Sequence, residues 1–392
     1  MAQRVAIVGI GQTCHTSRRP DVNDGELINE AVNNALADAQ LKIKDIDTVI
    51  SGNMDFFEGH YLNDAMLADY TGARGKAGFK MNTGGTVGTL TFISGCYCVS
   101  SGLSDVSIVI GWEKHDEGPT TSCITTMADP AVDRPFTVGA LLGMALISGN
   151  YMNRTGCRLE HAAMVRAQAS ENASRNPNAH LRDRYSVKDV LNARMVLFPL
   201  NLLMICPTSV GACAIVLASE AKAKRISKKP VWIKDHITVH GEYNGNHYHN
   251  QFDLPGFPRT TTQMMAGKKL LQRNHITEPL KELQVFEMYD PCAFVQMSWL
   301  EDFGICGEGE GWKMVEKGMT ARDGVFHVSP SGGVLCTNSI GDSGTVRVAE
   351  AALQIRGDAG EHQVTRNVRQ ALVSGFGGAF WTDLMLLSKS LD

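Results

Sequence analysis

Apolar and polar positions follow two periods along this chain, and the order in which the periods occur repeats. Near the N-terminus the apolar run Val5–Val8 reads as a buried strand and Glu26–Gln40 carries apolar residues at helical spacing. Leu41-Lys-Ile-Lys-Asp-Ile-Asp-Thr-Val-Ile50 then reads as a helix exit feeding a strand. A polar turn at Gly84-Gly85 runs into an apolar helix, and the strand Val106–Ile110 follows, ending in Gly111. The second part of the chain gives the same order. It has strand Val231–Val239, helix Thr261–Leu271, the segment Ile276–Met288, the turn Pro330-Ser-Gly-Gly333 and a glycine-bearing stretch Asn338–Gly344. Helix Thr345–Arg356 comes next, and the chain closes on Gly375-Phe-Gly-Gly378 and the strand Trp381–Leu387. This is the pattern of a duplicated βαβαβ half.

Near-continuous apolar strands such as Val106–Ile110 call for helices on both faces of a sheet, hence a layered α/β sandwich. Residues 117–204 break the repeat: they carry an amphipathic helix at Leu159–Ala173 and stops at Asn176-Pro177 and Phe198-Pro199. The expected organisation is therefore a first half beginning at 1–116, an inserted loop domain at 117–204 covering the site, the end of the first half at 205–229, and a second half at 230–392.

Composition narrows the function classes. The chain has 392 residues, 43% of them hydrophobic and 20% charged, which is enough to bury a two-part core. A net charge of -4 over that length argues against nucleic acid or a polybasic membrane surface as partner. The opening MAQRVAIVGIGQT is too short to span a membrane and lacks the parts of a signal peptide, so a cytoplasmic protein is expected. None of the ten cysteines forms a Cys-x-x-Cys pair, and most of them read as small buried hydrophobes in a reducing compartment. The polar loop His240-Gly-Glu-Tyr-Asn-Gly-Asn-His-Tyr-His249 offers two closely spaced histidines without a third and fourth ligand, so no metal is expected. Gly9-Ile-Gly11 follows a strand, but the third glycine of a dinucleotide fingerprint would fall at Cys14, which argues against a nicotinamide cofactor.

Duplicated halves that each place a glycine turn at a helix start resemble the thiolase superfamily over essentially the whole chain. The stretches that carry the resemblance are Gly111-Trp-Glu-Lys114, Glu287-Met-Tyr-Asp290, Leu300-Glu-Asp-Phe-Gly-Ile-Cys-Gly307, Ser331-Gly-Gly333 and Gln354-Ile-Arg-Gly-Asp-Ala-Gly360. They are most similar to the sterol-carrier-type thiolases and the related lipid-transfer-protein aldolases. The resemblance implies the thiolase fold, a five-layered αβαβα sandwich, and coenzyme A as a moiety of the substrate with no bound cofactor.

The same resemblance exposes three departures. Thiolases carry an Asn-x-x-Cys-x-x-Gly turn, and laying its glycine on Gly88 puts the acyl-accepting cysteine at Gly85. Cys96 and Cys98 lie on the order of 15 Å further along the helix, too far to substitute. The Gly-His-Pro turn that supplies a catalytic histidine is replaced by Cys336-Thr-Asn-Ser-Ile-Gly341, with Asn338 or Ser339 in its place. The histidine of sterol-carrier-type thiolases is Tyr289 here, as in the lipid-transfer aldolases. Gly84 and Gly85, with Gly377 and Gly378, are expected to offer backbone N–H groups as an oxyanion hole. Tyr289 is the candidate acid or base if its environment lowers its pKa, Asp290 its candidate orienter, and Asn338 a candidate hydrogen-bond donor. Tyr243, His247, Tyr248 and His249 form a possible substrate loop.

Three functions remain open at this level. One is retro-aldol cleavage of a 3-hydroxyacyl-CoA from the side chain of a steroid or aromatic compound, which needs no acyl-enzyme. The second is a thiolase or acyltransferase on a 3-oxoacyl-CoA without the usual cysteine. The third is a non-catalytic subunit that binds lipid or acyl-CoA. The resemblance further implies a homodimer and a small OB-fold, zinc-ribbon protein as a second subunit.

Overall fold

The computed structural model describes residues 3–60, 62–131, 133–135, 139–241, 258–378 and 381–391. Twelve strands are described: β1 (Val5–Gln12), β2 (Thr48–Gly52), β3 (Ala77–Met81), β4 (Val106–Lys114), β5 (Met195–Leu197), β6 (Leu200–Asn201), β7 (Val210–Ser219), β8 (Val231–His240), β9 (Val285–Glu287), β10 (His327–Val328), β11 (Gln370–Phe376) and β12 (Trp381–Ser388). Ten of them form one hydrogen-bonded succession in the order β10-β9-β11-β12-β8-β1-β7-β4-β2-β3, and β5 with β6 makes a separate hairpin.

The succession consists of two five-stranded halves with one topology. Read outward from the middle, the first half runs β1-β7-β4-β2-β3 and the second β8-β12-β11-β9-β10. In each half the two inner pairings are antiparallel and the two outer ones parallel. Among the described residues the two half-sheets pair through Ala6 with Trp232 and Ile7 with Val231. The repeat expected from hydrophobic patterning is therefore present as a repeat of strand order.

The core shows how the layers stack. The equivalent helices Val87–Ser100 and Ser343–Arg356 lie between the two half-sheets, where Phe92, Cys96 and Val99 of one meet Val346, Ala349 and Ala352 of the other in a single buried cluster. Glycines allow this approach: a β-carbon on Gly88 would lie 2.8 Å from the Thr345 amide, and one on Gly344 would lie 2.6 Å from the Thr89 amide. Helix Asp24–Ala39 covers the outer face of the first half. There Gly9 and Gly11 serve packing, since a β-carbon on either would strike the Ala35 or Ala31 carbonyl. Helices Thr262–Arg273 and Ala293–Asp302 cover the second half. The result is the mixed α/β thiolase fold.

Residues 117–204 pack onto that last layer: Tyr151 and Ala163, on helices Leu141–Thr155 and Leu159–Ala173, share a core with Phe294 and Trp299. Among the described residues no helix is long and apolar enough to cross a membrane.

Candidate active site

The two glycine turns meet. A β-carbon on Gly84 would lie 3.6 Å from the Gly377 carbonyl oxygen, and one on Gly85 would lie 2.4 Å from the Phe376 carbonyl oxygen. They meet at one end of a cavity of about 360 Å³. Its walls are largely apolar, with Met54, Ile124, Met127, Leu141, Met144, Pro291, Ile340 and Phe376. Its polar groups are Thr120, Thr121, Thr208, Tyr289, Asn338 and Cys206. Gly85, Gly378, Tyr289 and Asn338, chosen from sequence, thus share one space.

The first glycine turn ends in the helix Val87–Ser100, whose N-cap residue Thr86 makes no side-chain capping bond. The Gly85 and Thr86 N–H groups donate to no described residue, so this helix start has unused donors, and Gly85 itself lines the cavity. The second turn differs from expectation. The Gly377 N–H already donates to the Trp381 carbonyl at 2.9 Å, closing the turn into β12, so it cannot serve an oxyanion.

Tyr289 follows β9 and is almost fully buried. Its backbone N–H donates to Ser374 Oγ at 3.0 Å, and its hydroxyl donates to Asn338 Oδ1 at 3.4 Å. Burial pushes its pKa up from the ordinary phenol value, and the neighbouring Cys206 adds to the effect. The environment therefore does the reverse of lowering it and keeps Tyr289 a neutral proton donor.

Asn338 is clamped from several sides. Its backbone N–H donates to Ser209 Oγ at 3.0 Å and its carbonyl accepts from the Ser209 N–H at 2.8 Å. Its Oδ1 also accepts from the Ser343 hydroxyl at 3.0 Å, while Nδ2 donates to Cys206 Sγ at 3.3 Å. Of Asn338 and Ser339, Asn338 lines the cavity, while the Ser339 hydroxyl turns to Asp342. His115 holds the next part of the loop: its Nε2–H donates to the Ser339 carbonyl at 3.1 Å, and Nδ1 accepts from Thr120 at 3.2 Å. Burial pulls this imidazole down to about 4, so it stays neutral.

Asp290 does not orient Tyr289. Its carboxylate accepts from Gln296 Nε2 at 2.7 Å, the Val334 N–H at 2.9 Å and the Ser329 hydroxyl at 3.3 Å, which ties β9 to the 329–334 turn. Burial raises it to about 6. Tyr243, His247, Tyr248 and His249 lie outside the described residues.

Cys206 was not singled out by sequence reasoning, which read most of the cysteines as packing. It stands two residues after Met204, where its N–H donates to the Pro291 carbonyl at 3.0 Å and draws the segment against the residue that follows Asp290. The only signal in the sequence is its place in Cys206-Pro-Thr-Ser209, a polar turn just before the buried strand β7. Burial pushes its thiol up to about 12. Among the described residues no group of histidine, cysteine and carboxylate side chains is arranged to hold a metal ion.

Comparison with known proteins agrees with this architecture. Residues 247–389 match the family model for the thiolase C-terminal domain-like region. The chain is 30% identical over 365 residues to the acetyl-CoA acetyltransferase of Methanothermobacter thermautotrophicus, covering 92% of this chain and 93% of that one. It is 26% identical to sterol carrier protein 2 of Bos taurus, over 97% of this chain and 71% of that protein. Among solved structures, the Ltp2-ChsH2(DUF35) aldolase superposes with a TM-score of 0.82 at 22% identity, covering 98% of both chains. With the duplicated half-sheets and the paired glycine turns, these likenesses establish that the chain belongs to the thiolase superfamily.

Proposed function

We propose that this protein is a carbon–carbon lyase that cleaves a 3-hydroxyacyl-CoA by a retro-aldol reaction, the acyl group deriving from the side chain of a steroid or aromatic compound. The observation that carries this reading is the floor of the cavity. Position 85, on which the sequence resemblance lays the thiolase acyl-accepting cysteine, has no side chain, and a β-carbon there would lie 2.4 Å from the Phe376 carbonyl oxygen, while a neutral phenol faces it. In retro-aldol cleavage the bond between carbons 2 and 3 breaks and its electron pair becomes a thioester enolate. The Gly85 and Thr86 N–H groups would hold the enolate oxygen, and the Tyr289 hydroxyl would take up the 3-hydroxyl proton as it releases its own to water in the cavity. The apolar walls suit a branched or cyclic acyl group.

A second reading is acyl transfer through Cys206, which the cavity does contain. A thiol pushed up to about 12 is almost wholly protonated at neutral pH, and this weighs against it as the nucleophile.

The functional unit in this reading is a cytoplasmic homodimer joined by a small OB-fold, zinc-ribbon subunit. The exposed edge strand β3, with Phe79 46% accessible, supports pairing of two copies. The name of the Ltp2-ChsH2(DUF35) aldolase couples two components, which supports a second subunit. The test is product analysis by mass spectrometry on 3-hydroxyacyl- and 3-oxoacyl-CoA esters with and without free CoA. A ketone or aldehyde released from a 3-hydroxy ester without added CoA is expected. Cleavage confined to 3-oxo esters plus CoA would overturn the lyase reading.

A further inference from the structure

Retro-aldol cleavage leaves an enolate whose carbon must receive a proton, and Tyr289 at the 3-hydroxyl does not by itself account for that step. Among the described residues, the other ionisable side chain lining the cavity is Cys206. It is also the one cysteine of the ten that lines it. The Asn338 amide holds the two groups at fixed places, taking the Tyr289 hydroxyl on Oδ1 and giving Nδ2–H to the Cys206 sulfur. Asn338 in turn is fixed by Ser209 and Ser343. The sulfur is anchored through its own backbone N–H to Pro291, two residues beyond Tyr289.

We infer that the Cys206 thiol is the proton donor to carbon 2 of the enolate, a carbon acid–base role distinct from acyl transfer. This rests on the retro-aldol reading. As the bond between carbons 2 and 3 breaks, carbon 2 takes the thiol proton and leaves a thiolate. The 3-hydroxyl proton leaves through the Tyr289 hydroxyl to water, and the thiolate takes one proton back from water to close the cycle. One proton leaves oxygen, one reaches carbon, and no co-reactant is needed. The surroundings suit a donor of this kind: burial keeps the thiol protonated before cleavage, and the Asn338 Nδ2–H stabilises the thiolate that forms, the one side-chain contact that pulls the thiol back down.

The experiment is hydrogen exchange at carbon 2 of a product thioester, acetyl-CoA or propionyl-CoA, in deuterium oxide. It is followed by mass spectrometry for the wild-type protein, Cys206→Ser and Cys206→Ala, alongside cleavage of 3-hydroxy esters. The wild type is expected to incorporate deuterium, and both variants to lose exchange and cleavage together by about 10²-fold or more, the range for removing a general acid. Melting curves identify a variant that fails to fold, and the isosteric serine keeps the test open if the alanine does. Exchange and cleavage unchanged in both variants would overturn the role of Cys206 and leave the lyase reading standing. Cys206-dependent exchange without cleavage of any 3-hydroxy ester would sustain the acid–base role and sink the lyase reading. A wild-type protein that exchanges nothing would overturn the inference.

Discussion

The hydroxyl of Tyr289 stands 3.4 Å from the point where a β-carbon on Gly85 would lie, so the phenol faces a bare main chain. The Phe376 carbonyl, 2.4 Å from the same point, closes the space from the other side. Introducing a cysteine at this position is therefore an overpacking mutation before it is a chemical one. Gly85→Cys is expected to lose about 1–3 kcal/mol of stability, as small-to-large changes in filled sites do, and to gain no thiolysis. Urea melts and a thiolysis assay check this. An active thiolase from that single change would mean that the Phe376 carbonyl yields easily.

Tyr289→Phe removes the hydroxyl and leaves the ring packed near Phe376. The rate of cleavage should fall about 10²–10⁴-fold with little change in melting, because the lost hydroxyl is the one that passes on the 3-hydroxyl proton, while Ser343 still serves Asn338. Since burial raises this phenol, the wild-type rate should show no limb belonging to tyrosine ionisation between pH 6 and 10 (about the ordinary phenol value). A rate that climbs with tyrosinate formation in that interval would contradict the neutral-donor role.

Asn338→Ala cuts the link between the phenol and the thiol. The expected loss is about 10²-fold in kcat with KM nearly unchanged, the size of effect that misplacing a reacting group produces. Steady-state kinetics on a cleaved ester separates the two parameters. A rise in KM alone would assign Asn338 to binding.

A buried pair remote from the cavity predicts a pH dependence of stability. His362 Nε2 and Glu350 lie 2.7 Å apart. Burial disfavours the charged imidazole, but the Glu350 carboxylate outweighs it and the net pKa is raised. Burial likewise acts to raise Glu350, and His362 overrides it to hold the carboxyl at about 2. The histidine's contribution is full below its ordinary 6.5 and is lost as pH rises through the higher folded value; the glutamate's is full above its ordinary 4.5 and is lost as pH falls toward 2. Both operate between those ordinary values. His362→Gln should therefore cost most near pH 5.5, about 3–5 kcal/mol for a broken buried pair, and less at pH 9. Denaturant titrations at the two pH values provide the measurement, and an equal loss at both would refute the pairing.

Phe79 lies in the exposed edge strand β3, next to β2 in parallel register. Phe79→Asp puts a charge on that edge and is expected to convert dimers to monomers in sedimentation without unfolding the chain. A variant that sediments like the wild type would place the dimer contact elsewhere.

The repeat was legible because each half carries its own strong periodic segments, and helix Leu159–Ala173 appears with the ends its pattern indicates. Strands β3 and β10 were not legible. The first contains Gly78 and is largely exposed, the second has two residues, and neither carries an alternation long enough to read. In the site, Gly85 and Tyr289 line one cavity, and the sequence singles them out because the resemblance lays reactive groups of the family on those two positions. Asp290 misled because adjacency in sequence puts consecutive side chains on opposite sides of extended backbone. Cys206 was missed for the complementary reason: it reaches Asn338 across 132 residues of sequence, and nothing local marks it.

Gly88 and Gly344 bring two helix N-termini into contact, and that contact has an electrostatic consequence. Each terminus carries about half a positive charge, and like ends repel at short range. An anionic oxygen lodged beside them relieves this repulsion, so the empty fold is biased toward negative charge by its main chain alone. Exchange of side chains around the cavity can then redirect which bond breaks while the preference for a negatively charged intermediate persists.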